Sequence, residues 1–169
     1  MLLSELIQPD LIKLGMEAHN KWDAIEELID HLITAHELRM TNRQEVLDAV
    51  FARERSLSTG LEHSLAVPHG AVDCVSDILA GIGISDDGIP FESLDGKPAR
   101  LVVLLIIPKG AFQRHVRTLA GIARLARNQD LRERILDAKS EDDVMNVIYE
   151  LETTEESEKT PDPHDTMPD

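Results

Sequence analysis

A run of seven consecutive apolar residues, Leu101 to Ile107, constrains the fold more than any other feature of this sequence. Four of the seven are β-branched, and Pro108-Lys109-Gly110 ends the run. A strand that is apolar on both faces must be covered on both faces, as in a sheet between two helical layers. The run is too short to cross a membrane as a helix, which needs about 20 residues. We therefore predict an α/β fold, a three-layer α/β/α sandwich with a small mixed central sheet.

Amphipathic segments supply the helices that such a sheet needs. Three helix starts combine a capping residue with a polar partner three positions on: Asn20 with Asp23, Thr41 with Gln44, and Ser140 with Asp143. The apolar residues that follow recur at helical spacing, as in Val46, Leu47 and Val50 of the second helix. A further helix is predicted over residues 113–127, and the last helix is predicted to end near Glu150.

Three more strands are predicted around the central run. Residues 78–85 form one of them, which the turn Asp86-Asp87-Gly88 ends. A short strand before the middle of the chain ends at Pro68, because proline cannot donate to a strand ladder. A weaker pattern predicts a first strand near residues 11–14.

The composition changes at about residue 152. Residues 152–169 contain seven acidic residues, three prolines and one lysine, with Met167 as their single apolar side chain. Such a segment buries too little surface to offset the entropy of ordering it. We therefore predict one domain over residues 1–151, followed by a disordered acidic tail over residues 152–169.

Net charge and cysteine content limit the possible functions. The formal charge of −15 argues against nucleic-acid binding, which needs clustered Lys and Arg, and suits a basic protein partner. The single cysteine, Cys74, excludes a disulfide framework and fits a reducing compartment. The first residues lack the basic region of a signal peptide, and no segment is long enough for membrane insertion. We therefore expect a soluble, cytoplasmic protein.

His69 is the histidine best placed for chemistry. It follows Pro68 at a predicted strand end, and Gly70 after it leaves room for a bulky anion. An imidazole presented there can act as a nucleophile, although the tripeptide also fits an ordinary turn. His63 and His115 are further candidates, because sites in α/β folds gather at strand ends and helix N-termini. The remaining histidines are predicted to be ordinary surface residues: His19, His31, His36 and His164.

Several short motifs follow one another in a set order. They are Arg53-Glu54 at a helix end, Ser58-Thr59-Gly60 in a loop, Ala66-Val67-Pro68-His69-Gly70 at a strand end, Leu94-Asp95-Gly96-Lys97-Pro98-Ala99 before the apolar run, and His115 after it. In this order they resemble the enzyme IIA domains of the bacterial phosphoenolpyruvate-dependent phosphotransferase system, of the fructose, mannitol and nitrogen-regulatory type. The resemblance covers about residues 3–150.

The resemblance implies a phosphohistidine carrier. His69 would accept a phosphoryl group from the phosphocarrier protein HPr or its nitrogen-branch relative. It would pass the group to a cysteine of an enzyme IIB, or hold it as a regulatory signal for a kinase or transporter. Arg53 and His115 would hold the phosphoryl oxygens, and Thr59 and Gly70 would line the phosphate site. A separate chain favours the nitrogen-regulatory branch over a sugar-specific enzyme IIA.

The chemistry of phosphoryl transfer suits these residue types. The transition state is loose, with charge spread over the equatorial oxygens, so the protein supplies a nucleophile and well-placed donors. Transfer between two imidazoles is nearly balanced in energy, so no metal or other cofactor is expected. Each donor also has a structural interpretation: Arg53 as a cation favoured by a helix C-terminus, and His115 as a polar residue at a helix start.

The sequence departs from the family pattern at Glu62-His63, where the family usually has Gly or Gly-Asn. Glu62 adds negative charge near a site that must hold phosphate, which His63 offsets when it is protonated. Two other hypotheses remain open. One is a zinc site built from His63, His69, His115 and Cys74, although no CxxC or HExxH spacing supports it. The other is a binding module of the same fold that is not phosphorylated.

Overall fold

The apolar run lies in the central strand of a five-stranded mixed sheet. The computed structural model describes residues 2–159. This strand, β5 (Ala99–Pro108), is buried along nearly its whole length. Its side chains alternate between two separate hydrophobic cores, Leu101, Val103, Leu105 and Ile107 in one and Val102, Leu104 and Ile106 in the other. The prediction of a strand covered on both faces is confirmed.

The other strands flank β5 in both directions. On one side β4 (Leu79–Ile89) pairs with β5 antiparallel, and β1 (Ile12–Lys13) pairs with β4 in parallel. On the other side β2 (Leu65–Ala66) and β3 (His69–Val72) both pair with β5 in parallel. The small mixed sheet is as predicted, and the weak strand signal near residues 11–14 corresponds to β1.

Helices cover both faces of the sheet, which confirms the three-layer architecture. Helices α2 (Lys21–Thr34) and α3 (Arg43–Ser56) cover one face. Helices of the opposite face are α1 (Leu3–Leu6), α4 (Val116–Arg127), α5 (Gln129–Leu136) and α6 (Glu141–Lys159). A 3-10 helix, Phe112–His115, leads from β5 into α4. The sequence analysis did not predict α1 or α5.

Two of the three predicted helix starts are confirmed. The Asn20 side chain accepts a hydrogen bond from the Asp23 N–H at 2.9 Å, and the Ser140 hydroxyl accepts one from the Asp143 N–H at 3.2 Å. The capping box of Thr41 with Gln44 is wrong. Thr41 lies in a 3-10 helix, Met40–Asn42, and the Gln44 amide donates to Asp48 instead. Helix α3 starts one residue later than a cap at Thr41 would place it, with Asn42 in the capping position.

A short break at Val67 and Pro68 separates β2 from β3. Leu65 pairs with Leu101 and His69 pairs with Leu105, so β2 and β3 keep the same register on β5. The Pro68 carbonyl accepts a hydrogen bond from the Leu105 N–H at 3.0 Å, which maintains contact with β5 across the interruption. The short strand β2 therefore ends just before Pro68, close to its predicted end, whereas the resumption of pairing at His69 was not predicted.

Strand β4 is longer than predicted. Residues 86–88 lie within it and do not form a chain-reversing turn. The pairing of β4 with β5 shifts between Ile84 and Ile89, and Gly88 takes a positive φ of 84°. A glycine tolerates this backbone conformation, so the Asp-Asp-Gly signal marks an irregularity inside a strand.

Helix α6 extends beyond its predicted end near Glu150 and beyond the predicted domain boundary at residue 151. Leu151 and Glu152 are buried, and the Glu152 carboxylate accepts hydrogen bonds from the N–H and hydroxyl of Ser4. Contacts with α1 therefore stabilise the helix where its composition turns acidic. The helix runs to Lys159, the disordered tail stays a prediction, and residues 160–169 of it lie outside the described residues.

The helices were compared with the length and apolar content of a membrane-spanning segment. Of the helices within residues 2–159, none combines the length and the apolar content that a bilayer span requires.

Candidate functional site

A cavity of about 420 Å³ lies where β3 begins. The end of α3, the loop after it, the start of β3, the segment before β5 and one face of α4 surround it. Its polar lining residues are Arg53, Ser58, Thr59, His69 and Glu92, and its apolar lining includes Leu57, Leu94, Leu119 and Ala123. The fold therefore brings three of the five predicted site residues, Arg53, Thr59 and His69, to one cavity.

A backbone carbonyl fixes the imidazole of His69. Its Nδ1 lies 2.9 Å from the Val67 carbonyl oxygen. Because a carbonyl can only accept a hydrogen bond, Nδ1 carries a proton, and in the neutral ring Nε2 then holds the lone pair. His69 is half-buried and lines the cavity, so this contact orients the ring and selects its tautomer.

The interruption of the strand at Pro68 makes this contact possible. Val67 leaves the ladder of β5, and its N–H donates to the Thr59 carbonyl at 3.1 Å. Proline has no N–H that the ladder would need to satisfy at this point. The local departure from strand pairing places the Val67 carbonyl beside the ring of His69, two residues further on.

Arg53 lies in the last turn of α3 and has two roles available. Its Nη1 donates to the Leu57 carbonyl at 2.7 Å, which caps the C-terminus of the helix. The helix-end role proposed as the structural interpretation is thus present. The guanidinium has five N–H donors, and within residues 2–159 Leu57 is its hydrogen-bond partner. The other donors remain available to an anion in the cavity.

Thr59 also anchors the loop that follows α3. Its N–H and its hydroxyl both donate to the buried carboxylate of Glu54, at 3.1 and 2.6 Å. Direct phosphate binding by Thr59 would need one of these donors. Thr59 lines the cavity as expected, and binding of phosphate by Thr59 stays a prediction.

Gly70 is required by packing against α3. A Cβ atom at this position would lie 2.9 Å from the Val50 nitrogen and 3.0 Å from the Ala49 carbonyl carbon. Backbone atoms cannot yield as a flexible side chain can, so a larger residue would push β3 away from the helix. The predicted reason, room for an approaching anion, is wrong for the side-chain position of Gly70, because that position faces the helix.

His115 is buried on the helical layer that borders the cavity, and it does not line the cavity itself. It precedes Leu119, which lines the cavity, by one helical turn. Burial lowers the pKa of His115, and the nearby Arg114 guanidinium lowers it further. Among the described residues, Nδ1 of His115 has no hydrogen-bond partner. Its predicted place beside His69 therefore stays a prediction.

The lowered pKa of His115 predicts a loss of stability in mild acid. The unfolded chain takes up a proton near the ordinary pKa of 6.5, while the folded protein still holds the ring neutral. The free energy of unfolding should therefore fall as the pH drops below about 6.5, until the folded state also protonates. His115→Gln should lack this part of the pH dependence. Urea unfolding of both proteins between about pH 7.5 and pH 5 measures it; a constant difference between them would contradict the assignment.

The carboxylate that lines the cavity comes from an unexpected position. Glu62 and His63 lie outside the cavity lining, with 4.0 Å between Oε2 of Glu62 and Nε2 of His63. Glu92 lines the cavity instead, and its Oε1 lies 3.5 Å from Nζ of Lys21. The repulsion between Glu62 and a bound phosphate that the sequence suggests stays a prediction.

The geometry does not support the zinc hypothesis. Within residues 2–159, no group of three His, Cys, Asp or Glu side chains is arranged to hold a metal ion. Burial and a hydrogen bond with Glu45 raise the pKa of the Cys74 thiol to about 11.

The sequence analysis assigned no role to Lys21 or Glu54. Both are charged and nearly inaccessible, with 7% and 2% exposure, and their charged atoms lie 3.4 Å apart. The signal was present in the periodicity: Glu54 continues the buried stripe of Val46 and Val50, and Lys21 lies one turn before Ile25. Two opposite charges at buried helical positions predict a pair.

Exposed apolar side chains surround the cavity. Leu57 and Leu94 line it and are 68% and 77% exposed. Phe112 is 44% exposed, and its ring centroid lies 6.1 Å from that of His69. Val116, one turn after Phe112, is 47% exposed. Exposed apolar side chains grouped in this way are typical of a surface that docks another protein.

Comparisons with known proteins support the family resemblance of the sequence motifs. Residues 5–151 match the family described as phosphoenolpyruvate-dependent sugar phosphotransferase system, EIIA 2. The fructose-specific EIIABC component of Bacillus subtilis is 34% identical over 88% of this chain, which spans 23% of that relative. The nitrogen regulatory protein of Bradyrhizobium diazoefficiens is 32% identical over 88% of this chain and 95% of the relative. The crystal structure of nitrogen regulatory protein IIA-Ntr from Neisseria meningitidis, 27% identical, superposes with a TM-score of 0.77 over 86% of this chain and 98% of that one.

Proposed function

This chain belongs to the EIIA 2 family of the phosphoenolpyruvate-dependent sugar phosphotransferase system, and we propose that it carries a phosphoryl group on Nε2 of His69. One observation carries the proposal: the Val67 carbonyl binds the Nδ1–H of His69 at 2.9 Å in the wall of a cavity that also contains Arg53. The contact leaves Nε2 as the nucleophilic atom of a ring that is already oriented.

The proposed step is a phosphoryl transfer between two imidazoles. The Nε2 lone pair of His69 forms a new bond to phosphorus as the P–N bond of the donor phosphohistidine breaks. The electron pair of the broken bond returns to the donor imidazole, so no proton has to move. The Nδ1–H contact with Val67 stabilises the positive charge that develops on the His69 ring. The free N–H groups of Arg53 would bind the equatorial oxygens.

The apolar surface around the cavity supports a protein as phosphoryl donor and acceptor. A small-molecule phosphate would need polar groups at the cavity mouth, whereas Leu57, Leu94 and Phe112 are apolar and exposed. Burying these side chains on docking would exclude water from the transferring group. HPr or its nitrogen-branch relative is the proposed donor, and an enzyme IIB or a regulated kinase or transporter is the proposed acceptor.

Within this function we propose the nitrogen-regulatory branch, as expected from the sequence. The relatives of this chain include a fructose-specific protein at 34% identity and a nitrogen regulatory protein at 32% identity. Sequence identity alone therefore favours neither branch. A comparison of donors decides between them. A higher initial rate of labelling from the nitrogen-branch phosphocarrier than from HPr would support the proposal, and the reverse would support a sugar-specific role. The cytoplasmic location stays a prediction.

The direct test is transfer of label from phosphoenolpyruvate. The protein is incubated with labelled phosphoenolpyruvate, enzyme I and either phosphocarrier, and the label is tested for acid lability. We expect acid-labile phosphate that depends on the phosphocarrier and maps by mass spectrometry to the peptide containing His69. Absence of label with both carriers would contradict the proposal and favour a binding module of the same fold.

A further inference from the structure

We propose that the buried pair of Lys21 and Glu54 positions His69 and selects the tautomer in which Nε2 is the nucleophile. The inference about the ring stands on the structure alone, while its effect on transfer rests on the proposed function. Neither residue lines the cavity. They are positioning residues that act through the loop between α3 and β2.

The buried carboxylate of Glu54 anchors the loop that follows α3. The Glu54 carboxylate is 2% exposed and accepts the N–H and the hydroxyl of Thr59. Nζ of Lys21 lies 3.4 Å from Oε1 of the same carboxylate and offsets its charge. A buried carboxylate with a compensating cation and two further donors holds its partners in one geometry. Thr59 is therefore fixed to the end of α3.

Two hydrogen bonds connect this anchor to the imidazole of His69. The Thr59 carbonyl accepts the N–H of Val67 at 3.1 Å, and the Val67 carbonyl faces Nδ1 of His69 at 2.9 Å. Each link is a hydrogen bond to an adjacent backbone group. A shift of Thr59 would therefore move Val67, and Val67 holds the proton of His69 on Nδ1.

The effect on the tautomer follows from the chemistry of imidazole. A neutral ring carries its proton on either nitrogen, and the hydrogen bond made by one nitrogen decides which form is present. Without the Val67 carbonyl in place, part of the population would carry the proton on Nε2. A protonated Nε2 has no lone pair to attack phosphorus. Loss of the anchor should therefore appear as a change in tautomer and as a slower transfer.

The test removes the pair without leaving an unpaired charge. Lys21→Met/Glu54→Met replaces both residues by apolar side chains of similar volume, which buried pairs often tolerate. In ¹⁵N-detected NMR spectra, we expect the His69 signals to move from the pattern of one tautomer to that of a mixture. Labelling from a phosphocarrier should slow about 10- to 100-fold, as expected for a nucleophile that is no longer held in place.

A second Lys–Glu pair provides the matched control. Glu27 accepts the N–H groups of Glu17 and Ala18 at 3.0 and 2.9 Å and lies 3.1 Å from Nζ of Lys13. Like Glu54, it anchors a loop through backbone donors, but none of these residues lines the cavity. Lys13→Met/Glu27→Met should keep the wild-type tautomer of His69 and the wild-type rate of labelling.

The outcomes separate this inference from the proposed function. A folded Lys21→Met/Glu54→Met protein with wild-type tautomer and rate would overturn the inference. If that protein does not fold, Thr59→Val removes only the hydroxyl donor, and an unchanged tautomer there would also overturn it. A wild-type protein that accepts no label would contradict the proposed function, while the NMR result would still decide whether the pair positions the ring.

Discussion

His69→Ala is expected to abolish phosphorylation and to leave the fold intact. The proposed acceptor atom is lost, and within residues 2–159 the structure places no other imidazole in the cavity wall. The ring is half-buried, and its one hydrogen bond goes to the Val67 carbonyl, so its removal should cost only about 1 kcal/mol in the free energy of unfolding. The measurement is acid-labile label after incubation with the phosphocarrier, together with urea unfolding.

His63→Ala is the matched control for this experiment. His63 lies six residues before His69, is exposed and lies outside the cavity lining. Its removal should leave the amount and the rate of labelling unchanged. Label that persists in the His69→Ala protein would show that another residue is phosphorylated and would refute the assignment. Label that disappears in both variants would point to a general effect of the loop.

Arg53→Ala should slow phosphoryl transfer by about 10²- to 10³-fold, the effect of removing one preorganised donor from a charged transition state. Arg53→Lys should recover only part of the rate. A lysine ammonium lacks the planar fork that can bind the Leu57 carbonyl with one nitrogen and an oxygen pair with the others. Initial rates of labelling from a saturating phosphocarrier measure both effects.

Arg55 offers a comparison within the same helical turn. Its guanidinium lies over the rings of Trp22 and Phe51, at 6.0 and 5.9 Å, and does not line the cavity. Arg55→Ala removes an equal charge from the end of α3 and should leave the transfer rate close to wild type. Equal losses in the two alanine variants would mean that α3 needs net positive charge at its end, with no specific contact between Arg53 and phosphate.

The main features of the fold could be predicted because they depend on local patterns. The apolar run of β5 specified a strand buried on both faces, and helical periodicity identified α2, α3 and α4. Errors arose where a tertiary contact overrode a local signal. Helix α6 continues into an acidic segment because Ser4 donates to Glu152, a partner 148 residues away in sequence. Strand pairing resumes after Pro68 because β5 continues beside it.

The site could be predicted in part for the same reason. His69 and Arg53 were identified from residue types in order along the chain, and the fold brings both to one cavity. The partners of Thr59 could not be predicted, since its donors could equally have faced an anion. Glu92 was missed because its place at the cavity depends on how the segment before β5 packs on the Ser58–Gly60 loop.

The hydrogen bond between Nδ1 of His69 and Val67 leaves the opposite ring nitrogen uninvolved, and this has a consequence for signalling. A phosphoryl group added at Nε2 would not have to break that bond, so the loaded and unloaded proteins would share one backbone. A partner that distinguishes the two states would then have to sense local charge at the cavity mouth, because there would be no change of shape to detect. Such discrimination would be short-ranged, and it would weaken as ionic strength rises.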